Sequence, residues 1–258
     1  MSSKESVEAA EKPRRSVWAV IRSILTEVVV VVVAAVILSV LWRTFVAQMF
    51  IIPSGSMENT LQVDDRVLVA KFGGFQRGDV VVFEDPGDWL TTPPPPPDAF
   101  RETLEFIGVF PSSSSEHLIK RVIGMPGDHV SFGESGKITV NGHELDERAY
   151  LYASDGVQIP PATVPFDVVV PAGHIFVMGD HRNHSADSRC RLTRESESGP
   201  PGSVAFVPVD KVVGASVAIL APLPRLSTFI VPETFADVPD PTEPAPSEAV
   251  INLAEPGC

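Results

Sequence analysis

Basic residues are scarce in this chain, and their shortage sets the first limits. The 258 residues include 20 Lys and Arg against 33 Asp and Glu, a net charge of −13 at pH 7. That balance argues against nucleic acid as a partner, because neutralising phosphates takes a basic face. Residues 226–258 have no Lys or Arg, but six acids and six prolines. Such a segment buries too little apolar surface to offset its ordering entropy. It is read as a mostly disordered, acidic, proline-rich tail, whose apolar patch around Phe229 to Val231 can dock on the rest. Cysteine is also scarce. Cys190 and Cys258 are too few for a disulfide framework. Two unpaired thiols are the simpler expectation, with a tail-to-domain bridge as the alternative.

Charge is missing altogether from residues 28–42, VVVVVVAAVILSVLW. As a helix this run spans ~22 Å, short of a ~30 Å hydrocarbon core. Ile24 and Leu25 extend it at one end, Phe45 and Val46 at the other. Glu27 and Arg43 then fall near the interfaces, where an arginine can snorkel. A buried core helix or strand has similar composition, but length and position favour a transmembrane anchor over residues 23–44. No small-x-small site followed by a polar start comes after it, so the anchor is read as uncleaved. Lys4, Lys12, Arg14, Arg15 and Arg22 precede the run, and after it Arg43 is the only basic residue before Arg66. The positive-inside rule puts residues 1–22 in the cytoplasm and everything from residue 45 outside, in a single-pass protein of the plasma membrane.

Beyond the anchor the pattern changes to short strands. β-branched runs at 66–71, 79–83 and 118–123 are bounded by turn residues. Asn141-Gly142 separates Lys137–Val140 from His143–Leu145, and this dipeptide favours a two-residue hairpin because both positions need positive φ. Further strands are expected at 166–170, 174–178 and 211–220. The region 45–225 is therefore a mainly β domain of antiparallel sheets. Residues 85–116, with five consecutive prolines and four consecutive serines, read as a surface insertion between strands.

The stretch Met49–Leu61, MFIIPSGSMENTL, carries the first chemical signal. Two serines sit one glycine apart, directly after the apolar segment. A serine hydroxyl is a weak nucleophile and needs a base within hydrogen-bond reach and donors for the developing oxyanion. Three places can supply a partner. Lys120 lies among apolar neighbours at 118, 119, 122 and 123, and a lysine in such surroundings loses its proton more easily. A strand-edge lysine serving solubility is the plainer reading. His181 and His184, in the cluster at 178–189, can act as a base, or can join Asp180 or Cys190 as metal ligands, although the spacing matches no strong metal pattern. Asp187 and Arg189 in the same cluster can form an ion pair that holds the loop. Asp64-Asp65 reads as a turn into the next strand.

Taken in order, PSGSMENTLQVDDRVLVAK, RGDVVVF, KRVIGMPGD, VNG and FVMGDHRNHSADSR, following an N-terminal anchor, resemble bacterial type I signal peptidase over residues 45–220. The insertion and the tail lie outside the resemblance. It implies a signal-peptidase-like β catalytic domain and removal of signal peptides by a Ser-Lys dyad, with cleavage after small residues (Ala-x-Ala). In that resemblance Ser56 matches the nucleophile, Lys120 the general base and Ser54 an oxyanion-hole hydroxyl acting with the Ser56 N–H. Met57 matches a residue shaping the site. Ser185 matches a serine that orients the lysine amine, and Asp187 and Arg189 an ion pair supporting that loop. Arg121 and Asp180 match structural motif positions. No metal and no cofactor are implied. The implied partners are exported preproteins and the lipid bilayer, with the export machinery in proximity. The chain departs from the family at Asn59, where proline is frequent, and at His181, where asparagine is usual. A self-cleaving Ser-Lys regulator is disfavoured by the anchor and the acidic charge. A non-catalytic anchored β domain, or a relative dedicated to special substrates, would show the same motifs.

Overall fold

The computed structural model describes residues 17–87, 89–90, 117–196 and 199–258. Most of the expected insertion at 85–116, and the segment before residue 17, lie outside the described residues.

One helix, α1 (Val17–Phe45), opens the described chain. Its Val20–Trp42 stretch has 23 residues, and the most apolar 18-residue window in it has a mean hydropathy of 2.9 and is unburied. At about 1.5 Å per residue this spans roughly 35 Å, long enough to cross a hydrocarbon core. Two of its hydroxyls are satisfied within the helix: Thr26 Oγ1 donates to the Arg22 carbonyl and Thr44 Oγ1 to that of Val40, both at 2.8 Å. That is what a non-aqueous surrounding demands.

Fifteen strands follow among the described residues. They are β1 (Ala47–Ile51), β2 (Arg66–Ala70), β3 (Val80–Glu84), β4 (His117–Gly124), β5 (His129–Phe132), β6 (Ile138–Val140), β7 (His143–Glu144) and β8 (Ala153–Ser154). The rest are β9 (Val157–Gln158), β10 (Phe166–Val169), β11 (His174–Met178), β12 (Val207–Pro208), β13 (Val212–Ala221), β14 (Ser227–Thr228) and β15 (Val250–Ala254). One sheet runs β1-β2-β13-β3-β4-β11-β12, with β14 also on β13. A second runs β15-β10-β5-β6-β7, and β8 pairs β9. Their pairings are antiparallel, for example Val81↔Lys120 between β3 and β4. The expected hairpin is present, and Asn141 (φ 51°) and Gly142 (φ 82°) both adopt the left-handed conformation that the turn requires.

Valine alternation builds the core beneath the site. Phe50, Ile52, Met57, Leu61, Val67, Val69, Val80, Val82 and Ile119 form one buried cluster. A second cluster, around Ile123, Val130, Val168, Phe176 and Phe206, joins the two sheets. Lys120 and Arg121 are consecutive on β4, so they leave the strand on opposite sides. Each is therefore aimed at a different partner.

The tail differs from its sequence expectation. Residues 226–258 are wrapped onto the domain rather than disordered. β14 pairs β13 and β15 pairs β10. Phe235 and Val238 are buried, and Phe229 and Val231 pack against the two cores. Phe235 leaves no room for a side chain at Gly78, where a Cβ would lie 2.6 Å from Phe235 Cδ2. Between these anchors the proline-rich backbone serves as acceptor: Asn141 Nδ2 donates to the Pro239 carbonyl and the Ala172 N–H to that of Pro246. Average composition concealed this, because a few well-placed apolar residues and backbone carbonyls are enough to order an extended strap. The expectation of two free thiols is corrected with it. Cys190 and Cys258 are disulfide-bonded, Cα atoms 4.9 Å apart, because the strap returns the last residue to the turn at 188–191.

Candidate active site

Ser56 sits in a single 3-10 turn, Gly55–Met57, three residues after Pro53 ends the β1 region. A proline cannot donate to a sheet ladder, so the strand stops there and the chain turns over the core. Met57 is fully buried and pins the turn, and Leu61 N donates back to Met57 O at 2.7 Å. The Ser56 hydroxyl is held almost out of solvent.

From β4, Lys120 reaches the same point. Its Nζ lies 2.7 Å from Ser56 Oγ and donates to the Ile119 carbonyl at 2.9 Å. Lys120 is 4% exposed and Ser56 7%. Burial lowers the Lys120 amine from its usual 10.5 to about 8, against the opposing pull of Asp187 and Asp180. An amine of that basicity is partly neutral near physiological pH and can accept a proton. Ser54 Oγ points at Ser56 Oγ from 3.4 Å.

The loop after β11 closes the site from the other side. Gly179 allows the closest approach: a Cβ there would be 2.2 Å from Ser185 Oγ and 2.5 Å from the Ser56 carbonyl oxygen. Ser185 is thus packed beside Ser56. Its buried Oγ makes no hydrogen bond to Lys120, so the expected serine-to-lysine contact is not formed in this structure. Asp187 and Arg189 do pair, as a two-pronged contact of 2.9 and 2.8 Å. Asp187 also accepts from the Gly179 N–H at 2.9 Å. Burial pushes the Asp187 carboxyl up, but Arg189 and the Gly179 N–H act against it, and the carboxyl ends below its usual range. This pair therefore fixes the loop that carries both Gly179 and Ser185. Arg121 and Asp180 make a second buried two-pronged pair, at 2.8 and 2.6 Å, with Thr60 Oγ1 also on Asp180. The Arg121 guanidinium lies 4.3 Å from the Tyr150 ring centre.

His181 meets the serine turn but not its hydroxyl. Its backbone N–H donates to the Ser56 carbonyl at 3.1 Å. Its Nδ1 faces the Gly55 carbonyl at 3.2 Å and Glu58 Oε2 at 2.8 Å. The role of Glu58 was missed in the sequence, since nothing in the motif pairs it with a residue 123 positions away. Gly179 was missed for the same reason: its importance lies in what approaches it. Asn59 adopts φ 83°, which proline cannot, so the departure from the family at this position is built into the turn.

A cleft of about 160 Å³ opens onto the pair, lined by Phe50, Ile52, Ser54, Val82 and Leu118 together with Ser56 and Lys120. Two larger hollows, of about 310 and 420 Å³, touch neither Ser56 nor Lys120. Chemistry rather than size singles out the small one.

Residues 25–221 match the family described as "Signal peptidase, peptidase S26". The chain belongs to the signal peptidase family, peptidase S26. It is 37% identical to signal peptidase I of Mycobacterium tuberculosis over 226 residues, covering 79% of this chain and 75% of that one. It is 36% identical to the probable signal peptidase I of Mycobacterium leprae, covering 79% and 78%. It is 33% identical to the probable signal peptidase I-2 of Synechocystis, covering 86% and 82%. Membership of the signal peptidases, together with the long apolar helix, makes this a membrane-anchored serine peptidase.

Proposed function

We propose that this chain removes N-terminal signal peptides from exported preproteins, with Ser56 as nucleophile and Lys120 as general base. The observation that carries this reading is the 2.7 Å contact between Lys120 Nζ and Ser56 Oγ, with both groups buried. Neutral Lys120 takes the Ser56 proton as the hydroxyl oxygen attacks the scissile carbonyl. The oxyanion is met by the Ser56 backbone N–H and the Ser54 hydroxyl, each such donor being worth ~3 kcal/mol. Protonated Lys120 then gives its proton to the leaving amine. The neutral amine next draws a proton from water, which releases the acyl group from Ser56. Ser185 and the Asp187–Arg189 pair position the loop against Ser56. Met57 anchors the turn.

The small apolar cleft suits small side chains before the cut, as in Ala-x-Ala. It begins on β1, and Phe50 is five residues beyond the end of α1. The anchor thereby holds the cleft near the plane where a substrate's apolar segment lies, and raises their effective concentration. An N-terminus in the cytoplasm and a β domain outside, with the export machinery in proximity, belong to the same reading; the basic residues before the helix support the orientation. The Cys190–Cys258 disulfide supports that orientation, since such bonds persist in oxidising compartments.

The test is cleavage of a preprotein bearing an Ala-x-Ala site by purified protein in detergent. Ser56→Ala and Lys120→Ala are expected to abolish it, and His181→Ala to leave measurable turnover. Loss in Ser56→Ala and His181→Ala with activity kept in Lys120→Ala would assign the base to the histidine instead.

A further inference from the structure

Glu58, His181 and His184 form a cluster that peptide hydrolysis does not use. Each offers one ligand atom, and the three atoms lie within 4.8 Å of one another. Glu58 directly follows the turn that carries Ser56. His181 directly precedes the short 3-10 turn Arg182–His184, and His184 is its last residue. His181 is held in place: its ring stacks on Tyr152 with centres 3.9 Å apart, and its Nδ1 sits 2.8 Å from Glu58 Oε2. The His184 ring stands edge-on to it at 5.2 Å and is exposed. One imidazole is thus preorganised, and the other is free to turn.

Two imidazoles and one carboxylate suit a borderline divalent ion such as Zn²⁺, and not Ca²⁺ or Mg²⁺, which take all-oxygen shells. Zinc–ligand bonds of 2.0–2.2 Å in a tetrahedron imply donor separations of about 3.3–3.6 Å. The closest pair, at 2.8 Å, must open slightly, and the third donor must come in from no more than 4.8 Å. Rotation of the exposed His184 ring supplies most of that adjustment.

We propose that Glu58, His181 and His184 bind one Zn²⁺-class ion, with water in the fourth position. The ion ties the nucleophile turn to the loop after β11, two segments already joined by the His181 N–H on the Ser56 carbonyl. Because the three donors converge only in the folded chain, the ion stabilises the native state by mass action.

The test uses full-length, tag-free protein in detergent, titrated with ZnCl₂ by calorimetry and with Co²⁺ by visible absorption. One equivalent is expected to bind, with the intense bands of four-coordinate Co²⁺ and a rise in Tm on adding Zn²⁺. His184→Ala is expected to weaken that equivalent at least tenfold and to remove the Tm rise. Its side chain is exposed, so its metal-free Tm should equal that of the parent. Glu58→Gln should weaken binding similarly, whereas His143→Ala, far along the chain in β7, should not. Unchanged Zn²⁺ affinity in His184→Ala, no saturable binding by the parent, or an equal response to Mg²⁺ would overturn the site.

Discussion

Lys120 Nζ and Ser56 Oγ, 64 positions apart in sequence, lie 2.7 Å apart in a site that nearly excludes water. The amine there is lowered to about 8, chiefly by burial. The active form carries neutral Lys120, so kcat/KM should rise with pH and reach half its plateau within about a unit of pH 8. A pH–rate profile on a peptide substrate measures this directly. A limb centred near pH 6.5, the ordinary range of imidazole, would instead point to a histidine base.

The same burial makes Lys120 a stability cost. Its folded-state pKa lies below its unfolded value of 10.5. Between about pH 8 and 10.5 the unfolded chain therefore binds more protons, and stability rises with pH across that window. Below it the penalty is fully present, roughly 3 kcal/mol for a shift of this size. Lys120→Met should be inactive yet more stable than the parent at pH 7, by on the order of 2–3 kcal/mol. The gain should shrink towards pH 10.5. Denaturant unfolding at the two pH values decides it, and a gain that does not depend on pH would mean that charge burial is not its source.

Much of this site was legible in the sequence, and for identifiable reasons. The strands at 66–70, 80–84 and 174–178 are β-branched runs between turn residues, so local chemistry sets them. Ser56, Lys120 and the Asp187–Arg189 pair were named through an ordered set of motifs. Their separations in space were not readable, because they depend on the registers of β3, β4 and β11. The strap was misread because composition averages over a segment, whereas docking depends on where Phe229, Phe235 and Val238 fall. The Cys190–Cys258 pairing followed from the strap and shared its fate. Ser185 was expected on the lysine amine and instead packs against Gly179.

That contact makes Gly179 a position where volume, not polarity, matters. A methyl group there would overlap Ser185 Oγ and the Ser56 carbonyl. Relieving the overlap must move the serine turn or the loop, at a typical overpacking cost of 1–3 kcal/mol. Gly179→Ala should lower kcat by at least tenfold with the circular-dichroism spectrum of the β domain retained. Near-parental kcat would show that the loop yields without disturbing Ser56.

The disulfide gives the strap its most direct test. Cys190 and Cys258 close a loop with a sequence separation of 68. In the chain-entropy picture such a closure is worth about 4 kcal/mol, an upper figure because the reduced chain retains structure. Cys190 lies in the turn Ser188–Arg191, directly after the Asp187 that holds the Gly179 loop. Cys258→Ser should therefore lower Tm by several degrees and make β15 exchange its amide hydrogens faster. Activity should fall less than stability, because Phe235, Val238 and the Asp187–Arg189 pair still hold their places. Hydrogen exchange that speeds up over the whole strap, with Phe235 released as well, would show that the bond alone keeps the strap docked. Exchange unchanged even at β15 would show that packing suffices without it.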